Sequence, residues 1–150
     1  MSGSCARGAQ ICDCYEARME LVKPFVIAVL TFAIGGFWYS PAGFLKRWAK
    51  ESGFDLNAPR PKEAKHPAIV FGLAYLASVI AVFALTHLAG AERTWLSGLQ
   101  LGALTGGALV ATSFAVNYAF GSKSGVLWLI DAGYHFVQFL AFGAAIGAWH

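Results

Sequence analysis

The stretch PAIVFGLAYLASVIAVFALTHLAGA, Pro67 to Ala91, decides the fold, because 25 residues pass without one Asp, Glu, Lys or Arg. A helix of about 20 residues, rising about 1.5 Å at each, spans a hydrocarbon core of about 30 Å. The stretch is therefore long enough to cross a bilayer. Pro24 to Leu45, Thr94 to Ser122 and Lys123 onward have the same character, with almost no ionised side chains, whereas a dense charged segment precedes His66. A buried helix of a water-soluble bundle keeps a polar stripe for water, and these four stretches are apolar on nearly every face. The fold class expected is an all-α membrane protein: four transmembrane helices in a compact bundle, at about residues 24–44, 67–88, 95–120 and 125–149.

Working outward from the spans, composition agrees: 57% of the 150 residues are hydrophobic and 13% are charged, far from the soluble balance. The first apolar run starts only at Pro24 and ends in Trp38-Tyr39-Ser40-Pro41, without the small-residue cleavage pattern of a signal peptide. It is expected to remain as a helix. Met19 opens Met-Glu-Leu-Val-Lys-Pro, which leads straight into that helix, so residues 1–18 are expected to be a disordered extension upstream of a start at Met19, ahead of a transmembrane domain over 19–150. Cys5, Cys12 and Cys14 lie in that extension, and Cys12-x-Cys14 lacks the two-residue spacing and second ligand pair of a zinc site. His66, His87 and His150 form no metal set either, and no cofactor is expected.

The polar connections give direction. Pro24 suits a first helical turn, where its missing amide costs nothing. Ser40-Pro41-Ala42-Gly43 should break or kink the helix, and Lys46-Arg47-Trp48-Ala49-Lys50 has the make-up of a short amphipathic segment on the membrane surface. Lys46, Arg47, Lys50, Arg60, Lys62 and Lys65 explain most of the net charge of +3. Their position beside the membrane points to anionic lipid headgroups in the 46–65 loop and argues against nucleic acid. With Lys123, that side carries seven basic residues; Arg7, Arg18, Lys23 and Arg93 give the other side four. By the positive-inside rule the 45–66 loop is cytoplasmic, and both termini lie on the opposite side of a bacterial inner membrane.

Two patterns within the spans single out residues. Gly98, Gly102 and Gly106 recur every four residues, and Gly143 and Gly147 repeat the spacing, which lets helix backbones approach closely. Packing inside the bundle is the simpler expectation; the same faces also suit a homo-oligomer or a larger membrane complex. The sharper pattern is Asp131, His135 and Gln138, spaced i, i+4, i+7 on one face. A charged side chain at mid-span costs about 2.5 to 3.5 kcal/mol on insertion scales, so this face should meet protein or trapped water. Chain reversal brings Asn117 to a similar depth, with Trp38, Tyr39 and Ser40 from the first helix and Tyr75 from the second at the same end. Three readings compete: a hydrogen-bonded plug that locks the helices in register, a site for a small solute or for protons using Asp131 and His135, and a catalytic centre. The last is weakest, since no nucleophile, third ligand or phosphate loop accompanies the pair.

Gly35-Gly36-Phe37-Trp38-Tyr39-Ser40-Pro41, followed by Gly43 and Trp48, resembles the opening of a family of small bacterial membrane proteins known as domain of unknown function 1761. Leu129-Ile130-Asp131-Ala132-Gly133-Tyr134-His135 with Gly143-Ala144-Ala145-Ile146-Gly147-Ala148-Trp149 is similar to its last helix, and Val116-Asn117-Tyr118 to the end of its third. The likeness covers about Met19 to His150. It implies a four-helix membrane protein and assigns no activity. The function expected is a non-enzymatic accessory or structural membrane module, with a transport component as the alternative.

Overall fold

A computed structural model of the chain describes residues 21–149 except 60, 62 and 92. The expected extension at 1–18 and its cysteines, and His150, lie outside the described residues. Among the described residues five helical elements follow one another: α1 (Leu21–Trp38), α2 (Leu45–Ser52), α3 (Pro67–Ala89), α4 (Trp95–Phe120) and α5 (Gly125–Ala148). Of these, α1, α3, α4 and α5 are long and apolar enough to cross a membrane. The described residues hold no strand.

The expected bounds shift most at the first helix. It stops at Trp38 rather than Phe44, because Ser40-Pro41-Ala42-Gly43 forms a complete turn, in which Gly43 N–H donates to the Ser40 carbonyl (3.0 Å) and Phe44 N–H to that of Trp38 (2.8 Å). Gly43 is required there: an added Cβ would stand 2.5 Å from the Trp38 carbonyl oxygen. The chain then enters α2, whose Ala49 is buried while Lys46, Arg47 and Lys50 are exposed. The other starts follow ordinary capping chemistry. Thr94 and Ser97 cap each other's amides at α4, and the Ser124 hydroxyl accepts from Leu127 N–H at α5.

α5 is the axis of the bundle and packs against all four other elements. Its tightest neighbour is α4, through the glycines. A Cβ on Gly98 would fall on the Gly143 carbonyl, one on Gly102 on the Phe139 carbonyl, and one on Gly147 on the Thr94 carbonyl. At Gly106 the approach is looser, with Phe139 Cβ 3.0 Å from where a Cβ would stand. These glycines thus put backbone against backbone inside one chain. Towards the termini, Ile27 and Ala28 of α1, Val79, Val82 and Leu85 of α3, and Phe142 and Ile146 of α5 form a buried core. There Lys23 Nζ donates to the Trp149 carbonyl (3.0 Å), a cation at a helix C-terminus. At the end carrying loop 39–66, hereafter the long-loop end, α3 stands apart: every residue from Ala68 to Ala74 is exposed. Such an apolar surface suits lipid.

Two of the four long helices are irregular, and the freed backbone groups find partners. In α1, Val29 N–H bonds to the Val26 carbonyl (3.2 Å) in a local three-residue turn, and the Tyr75 hydroxyl donates to the Phe25 carbonyl (2.9 Å) that the regular pattern would have used. In α4, Thr105–Ala111 is a π-helical segment. Thr105, Thr112 and Ser113 hydroxyls donate to carbonyls within or beside it, and Trp128 Nε1 reaches across from α5 to the Ala111 carbonyl (3.0 Å). Side chains replacing lost helical bonds is what an apolar surround demands.

Candidate functional site

A polar seam runs along α5 from Ile130 to Gln138, about 12 Å at about 1.5 Å per helical residue. Its centre is Asp131. Tyr39, just past the end of α1, donates its hydroxyl to Asp131 Oδ1 (2.7 Å), and Tyr118 of α4 donates to Oδ2 (2.5 Å). One carboxyl group on the central helix thus takes a phenol from each of two neighbouring helices. Burial, and after it the bond to Asp131, pushes the Tyr39 phenol well above its ordinary value, so it stays a donor. One residue before Asp131, the Ile130 carbonyl accepts from Trp38 Nε1 (3.0 Å).

Nearer the termini the seam continues through Gln138, which is buried. Its amide nitrogen donates to Thr31 Oγ1 of α1 (2.7 Å) and to Ser78 Oγ of α3 (3.2 Å), while its oxygen lies 2.9 Å from His135 Nδ1. Thr31 donates in turn to Ser78 (2.6 Å), and Ser78 to the Ala74 carbonyl (2.8 Å). The Tyr134 hydroxyl bonds to the Thr31 carbonyl (3.3 Å). Packed between the two polar centres are rings: His135 lies 4.9 Å from both Phe114 and Tyr134, and Tyr134 lies 5.4 Å from Tyr39, between ring centroids. Among the described residues, no buried side-chain nitrogen or oxygen of the seam lacks a partner.

The sequence-predicted residues divide accordingly. Asp131, His135, Gln138, Trp38 and Tyr39 belong to the seam. Asn117 does not: it is exposed, and Tyr118 takes its place. The π segment is the reason. At about 3.6 residues per turn, residue 117 lies about three turns beyond Gly106 and on the same face; one extra residue in the ladder turns Tyr118 there instead. Ser40 stays in its own turn, bonded to the Phe37 carbonyl (2.7 Å) and the Gly43 amide (3.1 Å). Tyr75 serves the α1–α3 contact, where it bonds to Phe25 and stacks on Phe32 with centroids 6.1 Å apart. Sequence reasoning missed Tyr118, Thr31, Ser78 and Tyr134. The available signal for Thr31 and Ser78 was a hydroxyl in an otherwise apolar span, which is too common to single out a pair.

Beside the seam a pocket of about 270 Å³ lies at the turn between α4 and α5, lined by Tyr118, Lys123, Ser124 and Trp128 among others. Tyr118 is therefore shared between the pocket and Asp131.

A family model described as a protein of unknown function (DUF1761) matches residues 23–147. No curated protein and no solved structure matches the chain.

Proposed function

The chain belongs to the DUF1761 family, and we propose that it is a non-enzymatic accessory or structural module of the bacterial inner membrane, crossing it four times and held in register by the Asp131 seam. The observation that carries this reading is the pair of phenols on Asp131: both carboxyl oxygens are engaged, by residues of two different helices. A carboxyl group within a span is costly unless its neighbours replace water. Here they do, and the Gln138 centre ties in α1 and α3 in the same way. Groups engaged with one another in this manner hold helices together, and releasing them to handle a substrate would leave buried donors unpaired. Asp131→Asn tests the reading in proteoliposomes and detergent. An amide nitrogen is a donor where one phenol needs an acceptor, so stability should fall; wild-type stability in this variant contradicts a lock.

One observation favours a second reading, a transport component that binds protons or a small solute. The pocket at Lys123 and Ser124 reaches Tyr118, one hydroxyl away from Asp131, with His135 a turn further along α5. Under this reading the wild-type protein carries a flux across proteoliposomes that Asp131→Asn abolishes while stability is retained.

The sidedness follows from seven basic residues on the long-loop side against four on the other. The 45–66 loop is then cytoplasmic, and a reporter fused after His150 should be active only outside the cytoplasm.

A further inference from the structure

A second feature lies beside Trp38. Trp38 spends its one donor on the Ile130 carbonyl, so its ring offers only apolar surface elsewhere. That ring, with Phe44, Val126, Leu129 and Gly133, walls a groove of about 330 Å³ between the end of α1, α2 and the first turns of α5. Gly133 lets the ring lie close to the α5 backbone: a Cβ there would stand 3.2 Å from Trp38 Cζ2. Phe44, Val126 and Leu129 are exposed along it. Arg47 of α2 completes the lining at the long-loop end.

Arg47 is held there in a defined way. Its Nε pairs with Glu51 Oε1 (3.0 Å), one turn on, and the other Glu51 oxygen accepts the Ser124 hydroxyl (2.6 Å). The pairing engages Nε, one of the five N–H donors that a guanidinium carries, so the terminal nitrogens can meet a second anion. Lys46 and Lys50 are exposed on the same helix; three basic residues less Glu51 leave α2 a net charge of two.

We propose that this groove seats one acyl chain of an anionic phospholipid, with the headgroup phosphate on the Arg47 guanidinium. An apolar trough that begins at the first turn of a membrane-long helix and ends at Arg47 matches a lipid in both halves: chain against Trp38 and Leu129, phosphate against charge. A peptide would bring backbone groups that this trough has nothing to satisfy. The inference rests on the four helices spanning a bilayer, and it is independent of whether Asp131 locks or conducts.

Native mass spectrometry of the full chain tests it, with palmitoyl-oleoyl phosphatidylglycerol and phosphatidylcholine added at equal concentration, and glycerol phosphate in a separate arm. The wild type should retain phosphatidylglycerol about fivefold over phosphatidylcholine, the ratio that about 1 kcal/mol per basic residue at an anionic surface gives. Arg47→Gln, which removes that one contribution, should bring the two within about twofold. Val126→Trp, which fills the trough and leaves the charges alone, should lower retention of both lipids. Equal retention in the wild type overturns the proposal, as does a preference that survives Arg47→Gln or glycerol phosphate binding as well as the lipid. Should Arg47→Gln fail to fold, Val126→Trp decides, and unchanged lipid retention there overturns the seat. Loss of the Asp131 lock would alter unfolding and leave this preference in place, so the two readings fail separately.

Discussion

Each hydroxyl on Asp131 is a separable contribution. Interhelical hydrogen bonds in membranes average about 0.6 kcal/mol and reach about 1.7 kcal/mol, because the unfolded helices also find partners in lipid. Tyr39→Phe and Tyr118→Phe should each reduce the free energy of unfolding within that range of about 0.6 to 1.7 kcal/mol, measured by denaturant titration in detergent. Gln138→Leu should cost more, about 1 to 3 kcal/mol, because it strips His135 of its partner and removes the donor shared by Thr31 and Ser78. The face of Asp131, His135 and Gln138 was legible from the i, i+4, i+7 spacing alone. Its partners were less so. A tyrosine hydroxyl lies far from its own backbone, so which helix it serves depends on helix rotation: Tyr39 reaches Asp131, whereas Tyr75 ends on a carbonyl of α1.

Among the elements, α4 and α5 make the closest contact and the least tolerant one. Gly143→Val places its first carbon on the Gly98 carbonyl. The helices must separate, so the cost should reach about 3 kcal/mol or more, seen as lost monodispersity and a lowered unfolding midpoint. Gly72→Ala is the matched control: a Cβ at Gly72 meets nothing within 4 Å, and the change should stay within about 0.5 kcal/mol. The glycine spacing was visible in the sequence, whereas the π segment between Gly102 and Asn117 was not, since nothing in Thr105-Gly106-Gly107 announces an extra residue in the ladder. Depth, by which Asn117 is expected at the seam, does not choose between it and Tyr118; helix rotation past the π segment does. The end of α1 departs from the expected Phe44 for a different reason: the apolar run continues through Phe44 although the backbone has already turned at Pro41.

For the whole molecule, hydropathy sufficed to find the four helices that are long and apolar enough to cross a membrane, because a bilayer constrains length and composition more than any side-chain contact does. It carries no information about which helix is central. α5 takes that place by combining the small residues that admit α4 with the polar residues that engage α1, α3 and α4. Sidedness is a separate matter of charge in the loops; cysteines introduced at Lys46 or Lys50 should label from the cytoplasmic face only, and labelling from the opposite face would reverse the proposed topology. At the centre of the proposed lock Asp131 joins helices, and a double-mutant cycle measures this directly. Unfolding free energies of the wild type, Tyr39→Phe, Asp131→Leu and the double variant yield the interaction energy between the two side chains. A favourable coupling of about 0.6 to 1.7 kcal/mol is expected; a coupling indistinguishable from zero would contradict the lock.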